Sequence, residues 1–410
     1  MLATLYFVLS LGLVATTAGV FFPRLYGHAL QPVAALPSMV LSLFVPQFIL
    51  AGVVLTVLVG WAGALGQPLG QLGLLLHLLC WGLLLHYLMR MAQVYPLLDG
   101  RIVRDEDHPF APVLEEARRP PLAPAGVSLA PSLLLRIPQA AVVDVVRDIV
   151  YRELDGVRLR LDVYLPRQRA GALPAALYIH GGGWIAGTRR QSRLMLYELA
   201  AAGWVVFAIS YRRAPRFPLP AAIEDCKAAL VWIREHGLEY GTPGQEVVVL
   251  GGSAGGHLAA MLALTPNDPR FQRAFPTADT RVRGAVALYG LFDFETLLSQ
   301  RPHRGAALFL ERLVFQTRYR DDPERFRLAQ PLSHLPPQVP PLLLVHGQND
   351  GLVPIEQSRR LYHRLRQAGA QRVHLLEVPL ALHAFEIAPT PLHQRTMRII
   401  LEFLETLRAP

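Results

Sequence analysis

At 410 residues the chain exceeds one ordinary domain, and a hydrophobic fraction of 52% with a mean hydropathy of +0.30 is high for a soluble enzyme. The net charge of +9 comes almost entirely from arginines scattered in pairs such as Arg118-Arg119, Arg189-Arg190 and Arg359-Arg360. No basic cluster with interleaved aromatics is present, which argues against a nucleic-acid partner and for a solvated or membrane-facing surface.

The apolar excess sits at the front. From Met1 to Met89 the only Lys, Arg, Asp or Glu is Arg24. Three apolar runs, 1–22, 38–61 (interrupted by Pro46) and 69–89, each meet the roughly 20 residues that a helix needs to cross a bilayer. The first lacks a basic leader and has a long apolar core, so a retained helix is expected rather than a cleaved signal peptide. Residues 1–89 therefore read as a transmembrane region of about three helices. His77 and His86 read as packing residues within it. Arg24 lies in the first connection, the second is uncharged, and Arg90, Arg101 and Arg104 follow the third run. Basic residues prefer the cytoplasmic side, so the rest of the chain is expected there, in a multi-pass membrane protein. Cys80 falls in a membrane-type stretch and Cys226 in a predicted helix, so no disulfide is expected.

Residues 90–140 read as a linker. Pro109, Pro112, Pro120, Pro121, Pro124, Pro131 and Pro138 recur there at a density that forbids long helices and central strands. From residue 141 to 410 the pattern is α/β. Alternation over 145–151 and 157–165 about Asp155-Gly156 predicts a hairpin. Short apolar strands are expected at 175–179, 204–209, 247–250, 282–289, 342–345 and 373–378, with helices at 194–202, 219–236 and 394–407. Such alternation implies a mostly parallel sheet covered on both faces. Residues 291–341 form a longer insertion with an apolar helical segment near 306–315, placed to cap a site and guide an acyl chain.

The chemistry centres on Gly251-Gly252-Ser253-Ala254-Gly255, which follows the strand at 247–250 and opens a helix. A G-x-S-x-G turn between strand and helix pushes the serine hydroxyl out of the sheet. Alone, it would equally suit a glycine-rich phosphate loop. A serine hydroxyl needs a base, a group that orients the base, and donors for an oxyanion. His180-Gly181-Gly182-Gly183-Trp184 ends a strand, and the N–H groups of Gly182 and Gly183, with that of Ala254, are the candidate oxyanion donors; His180 reads as a support for its loop. Asp350, shortly after the strand at 342–345, is the candidate orienting acid. Among 14 histidines, His383 follows the last strand and is the candidate base. His374 falls inside a strand, His393 on the final helix, and His346 reads as a support for the Asp350 loop. The order Ser253, Asp350, His383 is the one expected of this strand–turn–helix architecture.

These residues carry a resemblance. From about residue 144 the chain resembles an α/β-hydrolase of the group containing hormone-sensitive-lipase-like carboxylesterases and acetyl esterases, through His180–Trp184, Tyr211-Arg212-Arg213-Ala214-Pro215 with Phe217-Pro218, Asp225, and Gly251–Gly255. It departs in lacking the Asp-Pro-Leu-x-Asp-like acid motif. The His346-Gly347…Asp350…Val353-Pro354 pattern, with Trp184, is more similar to feruloyl-esterase-like and isoprenylcysteine-methylesterase-like enzymes, the latter also having hydrophobic N-terminal spans. The resemblance implies an α/β-hydrolase fold and a serine carboxylesterase acting through an acyl-enzyme on a small-molecule or lipid ester, with no metal or organic cofactor. It assigns no oligomeric state. The rival readings are an amidase or arylformamidase with the same three residues, a non-catalytic membrane scaffold, and a transporter regulated by its α/β part. On the esterase reading residues 1–89 hold no catalytic candidate and act as an anchor, so a chain beginning near Asp144 is expected to keep turnover of short soluble esters.

Overall fold

The computed structural model describes the chain except for residues 24–26, 105, 108, 111–136, 170, 300–303 and 409–410, and describes residues 27–34 and 304 by backbone alone. Four apolar helices come first: α1 (Leu2–Phe21), α2 (Gly27–Leu43), α3 (Val45–Trp61) and α4 (Pro68–Gln93). The second expected run, 38–61, is not one straight helix. A break at Phe44 puts residues 35–43 and 45–61 at 94°. Pro46 lies in the first turn of α3, where its missing N–H is tolerated. Two helices, α1 and α4, are long and apolar enough to cross a membrane, and there is a third span only if the bent pair counts as one. That parity decides whether the N-terminus and the α/β part share a side; Arg24, the marker in the first connection, lies outside the described residues.

Small and polar residues join these helices. The Ser10 hydroxyl donates to Tyr6 O (2.7 Å) and lies 2.9 Å from His77 Nδ1 on α4. The Tyr6 ring stacks on His77 at 4.8 Å and its hydroxyl reaches Thr56 on α3 at 2.7 Å. Gly73 permits this approach, because a Cβ there would stand 2.8 Å from the Tyr6 ring. His77 is therefore a packing residue. The outward faces of α1, α3 and α4 carry exposed Leu5, Val8, Leu50, Val57, Leu75 and Leu79.

Within the stretch read as a linker, β1 (Leu97–Leu98) and β2 (Arg101–Ile102) form a short hairpin. Its turn uses Asp99 and Gly100, both at positive φ, as tight hairpin turns require. Two-residue strands leave no periodicity to read. The remaining strands are β3 (Val143–Leu154), β4 (Val157–Pro166), β5 (Ala175–Ile179), β6 (Val205–Ile209), β7 (Val247–Gly252), β8 (Gly284–Leu288), β9 (Leu342–Gly347) and β10 (Val373–Val378). They form one ten-stranded sheet in the order β2-β1-β10-β9-β8-β7-β5-β6-β4-β3. The six strands from β10 to β6 are parallel, and β4–β3 and β1–β2 flank them antiparallel. Residues 112–131, with most of the linker prolines, lie outside the described residues.

Helices cover both faces of this sheet: α5 (Arg193–Ala201), α6 (Ala221–His236), α7 (Ala254–Leu264), α8 (Phe294–Ser299), α9 (Arg304–Phe309), α10 (Pro323–Ala329), α11 (Glu356–Gln367) and α12 (Pro391–Glu405). The segment expected to be one helix near 306–315 is α9 followed by a π-helical turn, Leu310–Val314. Alternate strand residues face opposite layers. Leu177, Phe207, Val249 and Ala287 pack with α6 and α7, whereas Tyr178, Val206, Leu250 and Leu288 pack with α5, α12 and residues of the N-terminal helices such as Leu41, Leu84 and Met91.

Two contacts fasten α4 to the α/β body. Arg395 of α12, only 4% exposed, donates to the carbonyls of Met91, Ala92 and Val94, which a helix C-terminus leaves without internal partners. Tyr87 donates to Leu380 O at 2.9 Å. The arginine pairs are also accounted for. Arg189 and Arg190 share Asp162, Arg359 pairs with Glu377 and Arg360 with Asp293; Arg118 and Arg119 lie outside the described residues. Cys80 and Cys226 are both free and buried.

Candidate active site

β7 ends at Gly252 and α7 begins at Ala254, so Ser253 alone makes the turn, at φ 58° and ψ −120°. A non-glycine residue there is strained by on the order of 1–3 kcal/mol and must be held by its surroundings. Ser253 N–H donates to Leu288 O (2.9 Å). A Cβ on Gly251 would stand 2.4 Å from Gly255 O, and one on Gly255 2.0 Å from Ile179 O. The glycines of the motif are therefore what lets α7 close on the sheet.

The structure brings Ser253, His383 and Asp350 together. Ser253 Oγ donates to His383 Nε2 at 2.9 Å, and His383 Nδ1–H donates to Asp350 Oδ2 at 2.7 Å. Asp350 Oδ1 accepts from the N–H groups of Leu352 (2.9 Å) and Val353 (2.8 Å). The Asp350 side chain is fully buried. Burial pushes its carboxyl up, but facing His383 and His346 outweighs that and holds it well below the usual carboxylate range. An ionised acceptor fixes the imidazole proton on Nδ1 and leaves the Nε2 lone pair aimed at the serine. His346 supports the acid loop: its Nε2–H donates to Val353 O at 3.0 Å, its Nδ1 accepts from Ser358 at 2.7 Å, and it lies 3.4 Å from Asp350. The two histidines set aside lie elsewhere, His374 against Asp99 and His393 against Glu198.

Gly182 and Gly183 both have positive φ, 116° and 60°, open to glycine and costly for other residues. Among the described residues, the N–H groups of Gly182, Gly183 and Ala254 have no protein acceptor. All three residues border the same cavity as Ser253 and His383. His180 stacks on Tyr211 at 4.4 Å, lies 2.6 Å from Gly181 O through Nδ1, and accepts from the Tyr211 hydroxyl at its own carbonyl (3.0 Å). Burial lowers its pKa to about 4. Arg212 and Asp225 of the family-like motif form a buried pair at 2.9 Å, with Arg152 on the same carboxylate. They brace the loop without reaching the cavity.

Sequence reasoning missed several residues. His257, one turn after Ser253, accepts from Trp184 Nε1–H at Nδ1 (3.2 Å) and donates from Nε2 to Ala329 O (2.6 Å). It thereby ties α7 to the oxyanion-type loop and to the insertion. Burial lowers its pKa to about 4; a second ring proton would face the indole N–H. A histidine inside an apolar helix gave no signal of this role. The cavity, about 720 Å³, is also lined by Tyr178, Ser192, Tyr289 and Glu386, by Phe309 and Leu310 of the insertion, and by Leu36 and Met39 of α2. A Cβ on Gly183 would stand 2.9 Å from the Phe309 ring. Of the insertion residues expected to guide a chain, Phe309 and Leu310 reach the cavity, while Leu308 and Leu313 are exposed and Val314 and Phe315 are buried. The N-terminal region does not stand apart from the site, because Leu36 and Met39 of α2 supply part of the cavity wall. Among the described residues no cluster of His, Cys, Asp and Glu is arranged to hold a metal ion.

The chain is similar to several known proteins. The chain is 40% identical over 240 residues to the probable carboxylic ester hydrolase LipM of Mycobacterium tuberculosis, covering 58% of this chain and 56% of that protein. It is 26% identical over 230 residues to the probable isoprenylcysteine alpha-carbonyl methylesterase ICMEL1 of Arabidopsis thaliana, covering 55% and 48%. The chain therefore spans about half the length of these curated relatives. Butyrate-bound esterase 2 of Thermogutta terrifontis superposes with a TM-score of 0.54 at 27% identity, covering 66% of this chain and 96% of that one. Residues 161–365, half of the chain, match the BD-FAE family. The chain belongs to the BD-FAE family, among the α/β-hydrolase serine esterases.

Proposed function

We propose that the protein is a membrane-associated serine carboxylesterase that hydrolyses lipophilic carboxylic esters. The observation that carries this reading is the continuous hydrogen-bonded chain Ser253–His383–Asp350, whose Ser253 and His383 line a cavity also bordered by Gly182, Gly183 and Ala254. His383 Nε2 takes the hydroxyl proton as Ser253 Oγ attacks the ester carbonyl. The N–H groups of Gly182, Gly183 and Ala254 receive the oxyanion. His383 returns the proton to the leaving alcohol as the C–O bond breaks, which leaves an acyl-serine. Water, deprotonated by His383, then attacks the acyl carbonyl, and the Ser253 oxygen leaves with that proton. Asp350 stays ionised and stabilises the imidazolium.

Two features support a lipophilic substrate taken from a bilayer: the exposed apolar faces of α1 and α4, and the placing of Leu36 and Met39 from the same region on the cavity wall. Arg90 in the last turn of α4, with Arg101 and Arg104 shortly after it, favours a cytoplasmic location for the α/β body. Purified full-length protein in detergent is expected to hydrolyse p-nitrophenyl butyrate, and Ser253→Ala to lower kcat on the order of 10⁴-fold with the fold retained. An active Ser253→Ala protein rejects the reading. A single cysteine on the α/β surface of spheroplasts is expected to resist an impermeant thiol reagent; ready labelling reverses the proposed side.

A further inference from the structure

Most of the cavity wall is apolar, but it includes one connected group of polar side chains. In it the Tyr178 hydroxyl donates to Ser192 Oγ (2.7 Å), and Ser192 Oγ donates onward to Glu386 Oε1 (3.4 Å). Glu386 is 3% exposed, and its Oε2 has no hydrogen-bond partner among the described residues. The Tyr289 hydroxyl is near enough to interact with the carboxyl, and His383 and His393 face it from the flanking loop and from α12. A buried carboxyl oxygen without a partner is costly, and native proteins rarely carry one unless something else satisfies it. Burial pushes the Glu386 carboxyl up from its ordinary value against the lowering influence of Tyr289, His383 and His393; a protonated carboxyl both donates and accepts.

The position says which part of the substrate would meet it. Glu386 follows His383 on the same loop. The Tyr289 ring packs on His383 at 4.6 Å, and its hydroxyl would stand 2.5 Å from a Cβ on Gly252, the residue before Ser253. His383 must deliver its proton to the leaving oxygen, so the alcohol portion of the ester lies on the His383 side of Ser253. Glu386, three residues after His383, and Tyr289, packed on its ring, are grouped with His383, and Ser192 joins them through Glu386.

Resting on the esterase reading above, we propose that Glu386, with Tyr289, is a specificity-determining group that binds a hydroxyl carried by the alcohol portion of the ester, close to the scissile bond. A hydroxyl fits this place because it can give a hydrogen bond to one oxygen and take one from the other. Acyl monoesters of diols and triols have that chemistry.

The test compares kcat/KM of the full chain in detergent for propyl butyrate, 2-hydroxypropyl butyrate and choline butyrate. The wild type is expected to favour the hydroxypropyl ester over the propyl ester about tenfold, since a site built to bond a hydroxyl discriminates against its absence. Glu386→Leu is expected to bring that ratio close to one. Glu386→Gln, whose amide also donates and accepts, should keep most of it, and Tyr289→Phe should lower it severalfold. A preference that survives Glu386→Leu, or equal loss on all esters with the ratio kept, makes Glu386 a support for the His383 loop and overturns the proposal. Preference for choline butyrate overturns it in favour of a charged carboxylate that binds cations. Turnover of all three esters at equal kcat/KM by the wild type overturns this proposal alone; no turnover of any, with no organophosphate adduct, overturns the esterase reading itself.

Discussion

The N-terminal helices and the central sheet are built from the same apolar residue types and use them in opposite ways. In β5–β8 every strand residue is buried, whereas on α3 and α4 Leu50, Val57 and Leu75 are 65%, 65% and 62% exposed. Strand runs of five or six residues are too short to span a bilayer, and helices packed on both faces cover them. The 20 and 26 residues of α1 and α4 are long enough to place their faces in lipid. Length and exposure, rather than hydrophobicity, distinguish the two regions. Yet the regions are not independent. Arg395 holds the end of α4, Tyr87 holds the loop before His383, and Leu36 and Met39 enter the cavity.

The largest expected effects break the catalytic side of this comparison and leave the helical side untouched. His383→Ala and Asp350→Asn should each lower kcat on the order of 10³–10⁴-fold, and either one combined with Ser253→Ala should add little, because residues that act as a unit are not additive. Additive losses in pre-steady-state acylation would separate the three residues.

A smaller effect tests whether α2 is part of the site. Leu36→Trp or Met39→Trp should fill cavity volume and lower kcat/KM for a decanoate ester about tenfold more than for an acetate ester. Equal effects on both chain lengths would return the N-terminal region to a passive anchor.

Much of this was legible. The strand at 373–378 has the expected bounds, and the Asp155-Gly156 turn joins β3 to β4 as the alternation implied. Ser253, Asp350 and His383 could be singled out because each follows a strand, where a parallel sheet gathers its functional groups. His257, Tyr289 and Glu386 were not legible. They act through partners distant in sequence, such as Ala329 for His257 and Ser192 for Glu386, and no local pattern encodes such pairs. The role of Leu36 and Met39 was hidden for the same reason. Pro46 was visible, but whether it would kink a helix or start a new one depends on packing around Phe44.

The next effect is on stability. His180 and His257 are neutral in the fold, each with a pKa of about 4 through burial, against about 6.5 in an unfolded chain. Between those values the unfolded state binds more protons, so this contribution to stability is complete above about pH 6.5 and is lost as pH falls toward 4. The thermal midpoint of detergent-solubilised protein should fall over that window, and His257→Gln should flatten the fall. An unchanged slope would mean that His257 does not titrate on unfolding. The smallest effect concerns the joint between the regions. Arg395→Ala removes charge-assisted bonds to the end of α4 and should destabilise by about 1.5–3 kcal/mol, seen as faster proteolysis after Gln93 with short-ester turnover retained.

Every proposed catalytic step depends on Ser253 as the nucleophile. Full-length protein in detergent can be treated with a fluorophosphonate and its peptides mapped by mass spectrometry. A single adduct on the peptide containing Ser253, appearing in step with loss of p-nitrophenyl butyrate hydrolysis and suppressed in His383→Ala, is the predicted result. An adduct on another serine, or complete labelling with hydrolysis intact, would contradict it.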